Sequence, residues 1–201
     1  MFSRIKFYYN FYCLISYFSK LSNISDDVDD NILNNMLKNL EYYIFNVGFI
    51  GIKYTQMYIS KIMYSDNKIK KKISTHFENI FDNCPNHCDD YSKNLFQNEF
   101  NQSLDSYIDM DTLTIFASGS IGQVYKAITK NGQSIAIKVK HPNINNELEL
   151  FRSLMDLLKF AQKFAYLKKK FNLYFNCDDF YNHLVQQVDF NNEVENNKRF
   201  Y

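Results

Sequence analysis

Hydrophobic positions fall into three textures along the chain. From about Asp27 to Lys72 apolar residues recur every three or four positions, as in Ile32, Leu33, Met36, Leu37, Leu40, Tyr43 and Ile44. That spacing lines one face of a helix. Lys70, Lys71 and Lys72 form a turn-like stretch, and further helices are predicted over about Thr75–Phe81 and Asp89–Phe100. From about Leu113 to Val139 the pattern changes to β-branched clusters: TLTIFA, IGQVYKAIT and SIAIKVK. Asn131-Gly132 separates the last two, and because both residues tolerate positive φ this is a strong hairpin signal. Three antiparallel strands are expected. After His141-Pro142 the helical period returns, with Leu148, Phe151, Leu154, Met155, Leu158 and Ala161 on one face and Asn143 as its expected cap. A last helix is predicted to start near Asp178 or Asp179 and to run to the end of the chain.

This pattern predicts an α+β chain in three parts. An N-terminal segment (1–26) precedes a helical extension (27–110), and residues 111–201 form a three-stranded antiparallel sheet with helices. At 201 residues the chain is long enough to bury a real core. The net charge of +1, with no basic stripe, argues against a nucleic-acid partner. Cys13, Cys84, Cys88 and Cys177 lack the spacing of a disulfide framework, which favours a reducing, intracellular compartment. The N-terminal segment carries Arg4, Lys6 and Lys20 and no acid before Asp26. Its apolar stretch from Phe7 to Phe18 is shorter than the ~20 residues that span a bilayer. A mitochondrial targeting segment and an amphipathic helix packed on the domain both fit it. Cys84, His87 and Cys88, with His76 nearby, are potential zinc ligands. They lack a second ligand pair at a recognised spacing, so a polar interhelical loop is expected here and no metal.

The chemistry concentrates in the strand region. Ala117-x-Gly119-x-x-Gly122-x-Val124 fills two of the three glycine positions of the kinase loop G-x-G-x-x-G-x-V. Glycine suits such a loop because a side chain would hold the main-chain N–H donors away from phosphate oxygens. Val124-Tyr125-Lys126-Ala127 follows, then the hairpin, then Ala136-Ile137-Lys138-Val139. In a kinase, a lysine so placed reaches the α/β-phosphates and a helix glutamate holds it. The order of loop, strand, turn and lysine points to an adenine nucleotide, ATP or ADP. Its expected contacts are Ala117, Ser118, Gly119, Ser120, Ile121, Gly122, Gln123, Val124 and Lys138. An ordinary kinase places the glutamate soon after the lysine, at Glu147 or Glu149. Asp189-Phe190-Asn191 mimics the metal-binding D-F-G but lies too close behind Lys138, with no H-R-D-like loop between. No H-x-D-x-x-x-x-N and no genuine D-F-G occur in residues 1–201, so these residues supply no Mg²⁺ ligands and are expected to be catalytically silent as they stand.

Four motifs in order resemble the UbiB-type atypical kinases, the aarF-domain family. ASGSIGQV resembles that family's alanine-rich loop, and Ile135 to Pro142, IAIKVKHP, its lysine strand. Lys53-Tyr54-Thr55-Gln56 resembles its K-x-G-Q, and Gln187 to Asn196 its E-L-D-[FY]-x-x-E-A-x-N. The likeness runs from about Gly48 to the end. It implies the extension and small lobe of a kinase-like fold, with Glu193 as the partner of Lys138. It also implies that Lys53 and Gln56 fold over the pocket towards an acidic motif that includes Asp189. A link to ubiquinone (isoprenoid lipid) metabolism, membrane or lipid association and a mitochondrial location come with it. Three departures matter: Gln187 replaces an acid, which leaves Lys53 without its expected carboxylate; Thr55 replaces glycine; Gly119 replaces alanine. The last implies nucleotide handling closer to that of an ordinary kinase. The strands that follow in a complete small lobe are missing, so an apolar sheet face is expected to await a missing catalytic lobe or a partner protein. The alternative is a non-catalytic interaction or scaffold module that keeps the small-lobe fold.

Overall fold

The computed structural model describes residues 4–82, 84–166 and 176–200. The chain runs through α1 (Arg4–Ser22), α2 (Asp30–Val47), α3 (Phe49–Ile62), α4 (Lys68–Asp82) and α5 (Asp89–Phe100). A 3₁₀ turn, Leu104–Ser106, leads into β1 (Ile108–Ser118), β2 (Gly122–Thr129) and β3 (Ser134–Lys140). Then come α6 (Ile144–Gln162), α7 (Cys177–Val188) and α8 (Phe190–Phe200).

Local chemistry sets the helix boundaries. The Asp29 carboxylate accepts the Asn31 N–H at 2.9 Å and so caps α2, which stops at Gly48, where φ is +83°. Leu33, Leu37, Leu40 and Ile44 form its buried stripe, whereas Ile32 is 55% exposed, one residue off that stripe. Lys70, Lys71 and Lys72 lie inside α4 rather than in a turn. Lysine is a good helix former, and Ile69, Ile73 and Phe77 give the helix its buried face. The lysine run is its solvated side. Gly51 lets α3 cross α2 closely, since a Cβ there would collide with the Ile44 carbonyl.

A single core joins the extension to the helices that follow the sheet. Phe7, Leu14, Phe18 and Leu21 of α1 are buried with Ile144, Phe151 and Met155 of α6 and Leu184 and Val188 of α7. The N-terminal helix therefore packs on the domain. Among the described residues no helix is long and apolar enough to cross a membrane.

The sheet has order β1-β2-β3 and is antiparallel throughout. β1 starts at Ile108, ahead of the Leu113 start that the β-branched pattern suggests, because Asp109 to Thr114 sits in an irregular stretch of the ladder. One face carries Tyr125, Ala127 and Ile137 and is covered by Phe96 of α5 and by Leu104. On the other face Phe116 is 65% and Ile128 42% exposed, which leaves an open apolar strip. The C-terminal segment is two helices, not one. Asp189 leaves helical geometry (φ −86°, ψ +99°), and its carboxylate accepts the Asn191 N–H at 3.0 Å, capping α8. Asn143 occupies the cap position of α6 with φ +68° but makes no side-chain cap bond.

Candidate functional site

Strand register brings the lysine to the loop. Val124 pairs with Lys138 and Ala117 with Val124, so all three share the open face of the sheet. Ala136 lies two residues from Lys138 on the same face, a position absent from the expected contacts. The break at Asp189 aims the first turn of α8 at this strand. Lys138 Nζ lies 2.6 Å from each Glu193 carboxylate oxygen and 4.4 Å from the centre of the Phe190 ring. Side-chain exposures of 39% and 49% limit this ion pair to about 1 kcal/mol or less of stability, so its weight is positional.

Of the two other glutamates, Glu149 is exposed on α6, and Glu147 turns away into the core. Glu147 Oε2 accepts the Phe49 N–H at 2.8 Å, at the start of α3. Burial pushes its pKa up to about 7, against the pull of that N–H.

The loop is a closed turn. Gly119 N–H donates to the Gly122 carbonyl at 3.0 Å, and His141 N–H donates to the Ile121 carbonyl at 2.9 Å. The N–H groups of Ser120 and Ile121 have no acceptor among the described residues. A Cβ on Gly122 would lie 2.7 Å from the Val139 carbonyl oxygen and 3.1 Å from the Phe190 ring, whereas one on Gly119 would meet nothing closer than 3.8 Å. The glycine at 122 is thus sterically required and that at 119 is not. Ser118 and Gln123 are buried and support the loop from behind. Gln123 Oε1 accepts the His87 N–H at 3.1 Å.

Behind the loop lies a polar chain that motif reasoning missed. His141 Nε2 sits 3.0 Å from the Gly119 carbonyl, and its Nδ1 lies 2.7 Å from His87 Nδ1. His87 Nε2 meets Ser92 Oγ at 2.7 Å, Ser92 meets the Tyr125 hydroxyl at 2.9 Å, and Tyr125 donates to Asp89 at 3.1 Å. Burial lowers the pKa of both histidines; at His87 the neighbouring His141 lowers it further and Asp89 opposes, while at His141 the Gly119 carbonyl opposes. The three ligand candidates around His87 diverge. Cys84 is buried with its N–H on the Ser118 carbonyl at 3.0 Å, and Cys88 is exposed. Among the described residues no three such side chains gather as a metal site.

Lys53 of α3, Ser120 to Gly122, Lys138, Gln187 of α7 and Glu193 of α8 line one cleft of about 410 Å³. Lys53 is half-buried, and burial, then the like charge of Lys138, lowers its pKa, while Cys84 pulls the other way. It forms no ion pair among the described residues. Asp189 is engaged in the α8 cap, Gln56 does not line the cleft, and Thr55 is fully buried with its hydroxyl on the Gly51 carbonyl at 2.8 Å. Gln187 Oε1 is buried without a partner. A larger cavity of about 570 Å³ lies under α5, walled by Leu95, Phe96, Leu113 and Ile137 and bordered by Lys138, Lys140, His141 and Phe190; the 118–122 loop does not line it.

Residues 79–201 match the model of the ABC1 atypical kinase-like domain. The chain is 28% identical over 107 residues to an uncharacterized protein of Synechocystis sp., covering 51% of this chain and 19% of that protein. It is 37% identical over 87 residues to a second uncharacterized Synechocystis protein, covering 42% and 15%. Against the probable serine/threonine-protein kinase abkA of Dictyostelium discoideum it is 29% identical over 105 residues, covering 51% and 18%. The chain therefore spans less than a fifth of the length of these curated relatives. The matched segment takes in the loop, the lysine strand and the helix that meets it, and on that match the chain belongs to the ABC1 atypical kinase-like family.

Proposed function

We propose that this chain binds an adenine nucleotide, ATP or ADP, with its phosphates in the cleft between the 118–122 loop, Lys138 and α8. The observation that carries this reading is the meeting of three features in one cleft. Lys138 is held by Glu193, two loop N–H groups are without acceptors, and Gly122 has no room for a side chain. Main-chain N–H donors with a nearby cation are the chemistry that phosphate oxygens require. Ala117, Val124 and Ala136 on the same face offer an apolar shelf for the base.

Phosphoryl transfer also needs a group to orient the acceptor and carboxylates to hold Mg²⁺. Residues 1–201 contain neither motif, so this segment by itself holds nucleotide without transferring phosphate. A further lobe or a partner protein then closes the open face that bears Phe116 and Ile128. The link to ubiquinone or other isoprenoid lipid metabolism, and with it a membrane setting, is supported by the UbiB resemblance alone.

Calorimetric titration of the chain with ADP and with ATP, repeated on Lys138→Ala, tests the reading. The substitution is expected to weaken binding about tenfold or more, the worth of a charge-assisted phosphate contact. Undiminished binding in the variant would place the nucleotide elsewhere. Absence of binding in the unaltered chain would favour a scaffold module.

A further inference from the structure

The charges in the cleft do not balance, and the imbalance sits on Lys53. Lys138 is neutralised by Glu193 at 2.6 Å. Lys53, half-buried in the same cleft, has no carboxylate partner among the described residues. Apart from Glu193, which is engaged with Lys138, the other polar side chains of the cleft lining are neutral: Ser120 and the amides Gln186, Gln187, Asn192 and Asn196. A cation withdrawn from water without a counter-ion is costly, and a bound anion removes that cost. The buried, unpartnered Gln187 Oε1 is an acceptor in the same lining that can steady an ammonium without cancelling its charge.

The lysine also stands on a fixed base. α3 is tied at its start to α6, where the Phe49 N–H donates to Glu147 at 2.8 Å, and Thr55 one turn on is fully buried. Gly51 is pressed against the Ile44 carbonyl, so α3 has little freedom to slide. Lys53 therefore presents its charge at a set place while Lys138 arrives from the sheet.

We propose that Lys53 is a second phosphate-binding cation of this cleft, selecting nucleoside triphosphate over diphosphate. The inference rests on the nucleotide reading above. The loop donors and Lys138 suffice for a diphosphate. A separate uncompensated cation gains most from the additional charged group of a triphosphate.

The test is the ratio of ATP to ADP affinity, by calorimetry without added metal, in the unaltered chain, Lys53→Met, Lys53→Arg and Gln187→Glu. Lys53→Met is expected to weaken ATP about tenfold and to change ADP by about twofold or less. Lys53→Arg keeps the preference for triphosphate. Gln187→Glu, which adds a carboxylate to the same cleft, lowers that preference without touching Lys53, and so remains informative if Lys53→Met folds poorly. Equal effects on ATP and ADP in Lys53→Met, or an unchanged ratio in both Lys53→Met and Gln187→Glu, overturn the inference while leaving nucleotide binding in place. Failure of the unaltered chain to bind ADP or ATP at all overturns the underlying reading, and the inference with it.

Discussion

Replacing Glu147 by glutamine should reverse part of the chain's response to pH. The carboxyl is 8% exposed and its pKa rises from 4.5 to about 7, chiefly through loss of water. The Phe49 N–H and the N-terminal end of α3 pull the other way. A helix terminus is worth about 1 kcal/mol, though, against several for burying a charge. Because the folded chain holds this proton more tightly than the unfolded chain, the contribution of Glu147 to stability is fully present below pH 4.5 and is lost as pH rises through 7. At 1.36 kcal/mol per unit, the full loss is about 3 kcal/mol, of which about 2.5 falls between pH 5 and pH 8. Glutamine keeps a carbonyl for the Phe49 N–H and cannot ionise. Urea unfolding of both proteins from pH 5 to pH 8 isolates the effect, since every other titrating group cancels in the difference. The variant should gain on the unaltered chain by about 2.5 kcal/mol across that range. A difference that stays constant with pH would refute the assignment of Glu147 as a buried clasp between α6 and α3 with a raised pKa.

Further outcomes follow from the loop and its support. Gly122→Ala, with 2.7 Å to the Val139 carbonyl, should cost about 1–3 kcal/mol by thermal or urea unfolding, while Gly119→Ala, with 3.8 Å of clearance, should leave stability unchanged. Gly119→Ala should nonetheless shift the ratio of ATP to ADP affinity, and an unchanged ratio would remove any role for that glycine in nucleotide choice. His87 and His141 have pKa values lowered by burial, so the folded chain binds their protons less readily than the unfolded chain. Their contribution is present above about pH 6.5 and lost on acidification below it. His87→Asn should flatten that acid limb in urea unfolding between pH 7 and pH 5, and an acid limb of unaltered steepness would detach the pair from stability.

The sequence made the strand region legible because its chemistry is local. Asn131-Gly132 marks the hairpin, and the two-residue period then fixes Lys138 on the face of Val124. Asp89–Phe100 was equally readable, as acidic residues open it and Asn101, with φ +52°, closes it. Where side-chain partners are far apart in the chain, pattern reading failed. Glu147 sits 98 residues from Phe49, and nothing in its own helix distinguishes it from Glu149. His87 and His141 are 54 residues apart, and His87 alone reads only as part of a polar interhelical loop. The Asp189 break is hidden because helical spacing continues on both sides of it and only the Asn191 N–H on its carboxylate marks the new cap.

In the proposed reading, nucleotide phosphates meet Lys138 on the side of the 118–122 loop and not in the larger cavity under α5, which Lys138 also borders. Amide NMR of the ¹⁵N-labelled chain during an ADP titration tests it most directly. The largest shifts are expected at Ser120, Ile121 and Gly122 and at the first turn of α8, abolished in Lys138→Ala. Shifts confined to Leu95, Phe96 and Leu113 would move the ligand to the other side of the sheet and contradict it.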